Sequence, residues 1–185
     1  VDQEKTFSNI LNKQAKNNNK NWLFVNGGIG NYNTERYINN YFENWEKLGF
    51  SDIIINFFVN DTEIIKESNT NIFTLHTHLG VITWKLFSKY KSSFLSENLN
   101  EYYKIKYDDK YPGYITAVKE IKRLKQHCEF KKISCHIVLM PDIHQLKPYK
   151  LKFINTKIFN LSKELDLTFL DLLSILQNNK STLIW

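Results

Sequence analysis

The chain has 185 residues, 42% of them hydrophobic and 15% aromatic, which suits one domain with one core and excludes a disordered chain. Its net charge of +6 and pI of about 9.1 raise a nucleic-acid partner. The densest basic cluster (Lys119, Lys122, Arg123, Lys125, Lys131 and Lys132) instead has the spacing of a solvated helix face, so no nucleic acid is expected. No apolar run is long enough to cross a bilayer, so no transmembrane segment is expected in this chain. The polar opening VDQEKTF is not a signal peptide. With no initiator Met, the chain is expected to be a piece of a longer one.

In chain order, residues 2–17 read as a helix, because Phe7, Ile10 and Leu11 recur at i, i+3, i+4. Trp22-Leu23-Phe24-Val25 is a short apolar run, predicted to be a buried strand. It ends in Asn26-Gly27-Gly28-Ile29-Gly30-Asn31, a turn expected to need its glycines. A second helix opens at Thr34-Glu35, with Thr34 as the expected N-cap. Its stripe is Tyr37, Ile38, Tyr41, Phe42, Trp45 and Leu48, and Gly49 is placed to stop it. Residues 52–59 are apolar almost throughout and rich in β-branched side chains, the pattern of a strand buried on both faces. They end in Asn60-Asp61-Thr62.

Residues 63–112 read as an irregular insertion. Within it, 79–94 is a candidate helix with Trp84 and Phe87 facing inward, and 97–111 looks like a charged, aromatic excursion from the core. A helix returns over 113–127 on Ile115, Val118, Ile121 and Leu124. Residues 133–140 form the next predicted strand, closed by Pro141. Leu151, Ile154, Ile158, Leu161 and Leu165 mark another helix, and 167–170 the last strand. This alternation predicts a single α/β domain over residues 1–185 with a parallel sheet, its first strand expected to lie before Val1 and the domain incomplete at both ends. In such sheets ligands bind at the carboxyl ends of the strands. The turns at 26–31 and 60–62 both fall there.

Cys128 and Cys135 are the only cysteines, too few for a disulfide framework. With His127 and His136 they spell HC and CH, but adjacent residues on a strand point to opposite faces, so the spacing does not make a zinc site. Both read as small core residues. His144 reads as a loop histidine, and His76 and His78 as structural or exposed.

The chemistry rests on the two turns. Gly28-Ile29-Gly30 lacks the third glycine of a dinucleotide loop. Asn60 ends a buried hydrophobic strand with a carboxamide, a donor that does not titrate near neutral pH and so suits a developing alkoxide. The plainer reading makes Asp61 or Thr62 a cap for the next helix.

Together the turns resemble the second and third blocks of the SGNH/GDSL hydrolases. Asn26, Gly28 and Thr34 match the second block, with Asn31 at its second glycine position. Asn60 and Asp61 match the third block, where Phe58 replaces its glycine. The segments VLMPDIHQL and LDLTFLDLLSIL are similar to the approach to the family's last block.

The resemblance implies a three-layer α/β/α sandwich with a flavodoxin-like parallel sheet. It also implies a serine esterase in which the Asn31 backbone N–H and the Asn60 side chain stabilise the oxyanion. The serine is expected upstream of Val1, and the Asp and His of a D-x-x-H segment downstream of Trp185. The implied substrate is a small-molecule or carbohydrate ester, an acetyl ester at family level, and no metal or organic cofactor is implied. Two readings stay open beside it, an O-acyltransferase using the same residues and a non-catalytic binding module. A flavodoxin-like signalling domain is disfavoured, since neither an acidic phosphorylation cluster nor a phosphate loop is visible.

Overall fold

The computed structural model describes residues 6–65, 99–143 and 146–178. The candidate helix at 79–94, with Trp84 and Phe87, lies outside them, as do His76, His78 and His144. Among the described residues no helix is long and apolar enough to cross a membrane.

Helix α1 spans Phe7–Asn17 and buries Ala15, while Phe7 and Ile10 of its stripe stay exposed. Trp22-Leu23-Phe24-Val25, expected to be a buried strand, is not one. Trp22 and Leu23 are 63% and 81% exposed. The run has apolar composition but no ladder. The Asn12 carboxamide of α1 accepts the Phe24 N–H at 2.7 Å and donates to the Phe24 carbonyl at 2.9 Å. A side chain thereby meets the backbone needs that a neighbouring strand would otherwise meet.

Helix α2 covers Thr34–Asn40, then loosens into a π turn over Tyr41–Trp45 and tightens into a 3-10 turn over Glu46–Leu48. Gly49 ends it in the left-handed region at φ 69°, as its position predicted. The π turn inserts a residue and rotates the later positions off the expected stripe. Ile38 is buried and Tyr37, Tyr41 and Phe42 pack on the core, while Leu48, beyond the π turn, is left exposed.

The remaining elements are β1 (Asp52–Phe58), α3 (Leu99–Lys106), α4 (Pro112–Lys131), β2 (Ser134–Met140), α5 (Lys152–Glu164), β3 (Thr168–Asp171) and α6 (Leu173–Asn178). The three strands form one parallel sheet in the order β1-β2-β3, with Ile55 opposite Ile137 and Phe57 opposite Leu139. The chain is thus an α/β protein with a parallel sheet, as the alternation predicted.

Burial on the sheet is one-sided. Ile55 and Phe57 of β1 and Cys135, Ile137 and Leu139 of β2 are buried in one cluster with Ile121, Leu124 and Cys128 of α4 and Ile154, Ile158 and Leu161 of α5. The other face carries Ile54 and Leu170, 42% and 47% exposed, with an exposed Asn56 and half-buried Phe58, Val138 and Met140. The expectation that β1 is buried on both faces does not hold. Strand registry puts alternate residues on opposite faces, and α4 and α5 both cover the same one.

Residues 97–111 were expected to leave the core, and part of them enters it. Tyr103 and Tyr107 of the α3 region are 8% and 2% exposed. Tyr107 stacks near Tyr114 and Phe153, with ring centroids 5.9 and 6.3 Å away. Tyrosines bury a large apolar ring and need only one partner for the hydroxyl.

The basic residues of α4 face solvent. Lys122 pairs with Glu164 at 2.8 Å and Arg123 with Glu120 at 3.1 Å. Lys125 donates to the Asp166 carbonyl at 3.0 Å. Cys128 and Cys135 are buried core residues, and their thiols hydrogen-bond each other, which pulls the Cys128 thiol down and pushes the Cys135 thiol up.

One glycine is required by a close approach. A Cβ on Gly113, in the first turn of α4, falls 2.0 Å from the Thr62 carbonyl oxygen. Gly113→Ala is expected to lower stability by about 3 kcal/mol, the upper part of the range for overpacking. Gly30→Ala, whose Cβ meets nothing within 4 Å, serves as the near-neutral control. Urea midpoints of the two variants check this. Equal midpoints would show that the Thr62 carbonyl can move aside.

Candidate functional site

At the carboxyl end of β1 the turn at 60–62 meets Asn33 and Thr34, which directly follow the turn at 26–31; that first turn follows no strand among the described residues. After Phe58 the chain turns tightly, with the Asp61 N–H donating to the Phe58 carbonyl at 3.0 Å and the Glu63 N–H to the Asn60 carbonyl at 2.9 Å. Residues 59–62 alternate sharply in exposure. Val59, Asp61 and Thr62 are buried and Asn60 is exposed.

The loop before α2 is fastened onto this turn. The Asp61 carbonyl accepts both the backbone N–H of Thr34, at 3.2 Å, and its hydroxyl, at 3.1 Å. The Asn33 carboxamide donates to the Glu63 carbonyl at 2.9 Å, while its oxygen accepts the Arg36 N–H at 3.1 Å. Asn33 is therefore the N-cap of α2, and Thr34, expected in that role, is its first residue. The reason is tertiary: the Thr34 hydroxyl is already committed to Asp61. Asn33→Ala is expected to cost about 1 kcal/mol for the cap, plus the bridge to Glu63, and to lower the melting temperature by several degrees. A melting curve that matches the parent would remove Asn33 from the link between the turns.

The glycines of the first turn are not what shapes it. None of Gly27, Gly28 and Gly30 has a positive φ, and a Cβ is within 4 Å of another group only at Gly28, where it meets the Asn26 side chain. The Asn26 oxygen accepts the Gly28 N–H at 3.0 Å. The left-handed residue is Asn31, at φ 61°, a conformation that Asn tolerates better than most residues. Asn31 is exposed, and neither it nor the Asn60 side chain hydrogen-bonds to any described residue. Both residues thus present free donors on segments that hydrogen bonds draw together.

The turn is backed by tyrosines. The Tyr107 hydroxyl donates to the Val59 carbonyl at 3.0 Å, and the Tyr102 hydroxyl to Glu63 Oε1 at 3.0 Å. The Tyr37 hydroxyl bonds the Thr34 hydroxyl at 3.1 Å and also faces the Asp61 carboxyl. Burial pushes the Tyr107 and Tyr37 hydroxyls well above their ordinary range, so both stay neutral donors.

Asp61 itself caps no described helix. Its Oδ2 reaches back to accept the Phe58 N–H at 3.0 Å. Burial pushes its carboxyl up to about 7, against the pull of the Phe58 N–H and the Tyr37 hydroxyl. Sequence reading gave Asp61 no such place. The available signal was a carboxylate two residues after the last residue of an apolar strand.

Other candidate groups lie elsewhere. His136 faces Asp52 at 3.2 Å, and His127 bonds the Tyr41 hydroxyl at 3.2 Å, both toward the opposite end of the sheet. At the end of β3, Asp171 is consumed by Asn155 at 2.7 Å and by the Leu173 N–H at 2.8 Å. A wide, open groove along α2 and α4, lined by Phe42, Arg123, His127 and Phe130 among others, contains none of the site residues.

Comparison of the chain with protein-family models, with curated proteins and with solved structures finds no match.

Proposed function

We propose that this chain carries the oxyanion-stabilising part of an ester hydrolase of the SGNH/GDSL type, with the three-layer α/β/α arrangement of that family. The observation that carries the reading is the pair of hydrogen-bonded links from Asn33 and Thr34 to Glu63 and Asp61. They join the residues that follow the first turn to the second turn, at the carboxyl edge of a parallel sheet, and neither the Asn31 N–H nor the Asn60 carboxamide is bonded to a described residue.

In this reading a serine, with histidine as its base, attacks the acyl carbonyl; no residue of this chain is assigned either role. As the tetrahedral intermediate forms, negative charge collects on the former carbonyl oxygen. Asn31 donates its backbone N–H and Asn60 its Nδ2 hydrogen to that oxygen. Neither donor loses its proton near neutral pH, so neither titrates itself in the working range. The substrate class is an acyl ester, with acetyl esters of carbohydrates or small alcohols first in line.

The test uses the protein that bears this sequence, assayed on p-nitrophenyl acetate and on an acetylated oligosaccharide, and labelled with a fluorophosphonate. Turnover together with labelling at one serine supports the reading. Loss of neither signal in an Asn60→Ala, Asn31→Pro double variant would overturn it, because that variant removes both proposed donors.

A further inference from the structure

Asp61 has no task in the hydrolysis proposed above. It directly follows an exposed residue, yet it is 6% exposed itself. Its carboxyl closes the turn from the inside by accepting the Phe58 N–H at 3.0 Å, and its N–H returns a bond to the Phe58 carbonyl at 3.0 Å. Its carbonyl carries both the N–H and the hydroxyl of Thr34. One residue therefore fastens the turn that presents Asn60 and the loop that presents Asn31.

The described groups around that carboxyl include no cation to compensate a charge on it. Among the described residues, the titratable side chains facing it are Tyr37 from α2 and Tyr107 next to α3, both neutral. Glu63, in the same turn, is engaged by Tyr102. Among the described residues no basic side chain contributes to its titration. A buried carboxylate without a cation is costly, whereas the neutral carboxyl keeps an oxygen for the Phe58 N–H and adds a donor of its own.

We infer that Asp61 is the positioning residue of this site, a clamp whose neutral form holds the two donor-bearing turns in register and whose ionised form loosens them. What the clamp serves rests on the reading of Asn31 and Asn60 as oxyanion donors; that the clamp exists does not. The step is a simple ionisation, in which Asp61 gives its proton to solvent as the pH rises.

Two measurements test it. In the first, amide ¹⁵N spectra of this chain are followed from pH 5 to 9. The Phe58 and Thr34 amides are expected to move together with one midpoint near 7. Both become flat in Asp61→Asn, which keeps the acceptor and stays well dispersed. Amides that do not titrate, or that titrate alike in Asp61→Asn, overturn the inference whatever the chain catalyses.

In the second, kcat is measured against pH in the ester-hydrolysing protein. The parent is expected to lose at least half of its kcat across the Asp61 midpoint, with KM little changed, and Asp61→Asn to lack that limb. An identical limb in both proteins overturns the positioning role. Absence of ester turnover in the parent sinks the hydrolase reading alone, and the amide titration then decides the clamp.

Discussion

Asn60→Ala is expected to lower kcat of the proposed ester hydrolysis by roughly 10²–10³-fold, the usual cost of one oxyanion donor, while leaving the fold intact. The split between activity and stability comes from how Asn60 sits. Its carbonyl accepts the Glu63 N–H, a backbone bond that alanine keeps. Its side chain is exposed and makes no hydrogen bond to a described residue, so truncation removes nothing that holds the turn together. A surface change of that kind moves stability by about 0.5 kcal/mol or less. A capping role makes the opposite forecast, with about 1 kcal/mol of lost stability and normal turnover. Measuring kcat and the melting curve on the same preparation separates them. An unchanged kcat removes Asn60 from the chemistry.

Asp61→Asn is expected to make the chain more stable at pH 8 and to flatten its stability against pH. The folded carboxyl titrates at about 7, against 3.8 for an unperturbed one. Between those values the folded state holds a proton that the unfolded state has released. The resulting stability is fully present below pH 3.8, declines as the pH rises, and is gone once the pH passes 7. About three pH units at roughly 1.4 kcal/mol each put the full difference near 4 kcal/mol. The parent should therefore show a higher urea midpoint at pH 5 than at pH 8. In the variant, a carboxamide fills the same space, accepts the Phe58 N–H and carries no charge. Its midpoint at pH 8 should approach the parent's at pH 5. A parent whose midpoint rises with pH over this window would show that Asp61 is ionised in the fold and paired with a cation.

Much of the architecture was legible residue by residue. The spacing of Ile154, Ile158 and Leu161 and the β-branched run at Ile53-Ile54-Ile55 are local signals, and they form α5 and β1. Gly49 stops its helix because only glycine enters the left-handed region without strain. The parallel sheet followed from alternation, since parallel neighbours require a crossover and the crossovers are helical. Of the site, the sequence showed Asn26, Gly28, Asn31, Thr34, Asn60 and Asp61 as two marked turns. That Asn31 takes φ above zero came from the structure.

Features that depended on partners were not legible. Composition alone made Trp22-Leu23-Phe24-Val25 look like a strand, yet no ladder receives it and Asn12 bonds Phe24 instead. The apolar runs of β1 and β2 do not say how many faces are covered; that is decided by α4 and α5 packing on the same side. Asn33 and Thr34 are both acceptable caps by residue type, and the arrival of the Asp61 carbonyl commits Thr34 to other work. By itself the sequence determined the periodicities, the strand ends and the residue types at the two turns, because these are local properties of the backbone and side chain. Tertiary structure alone decided that Asp61 is buried and Asn60 exposed, because desolvation is set by what the rest of the chain brings against a residue.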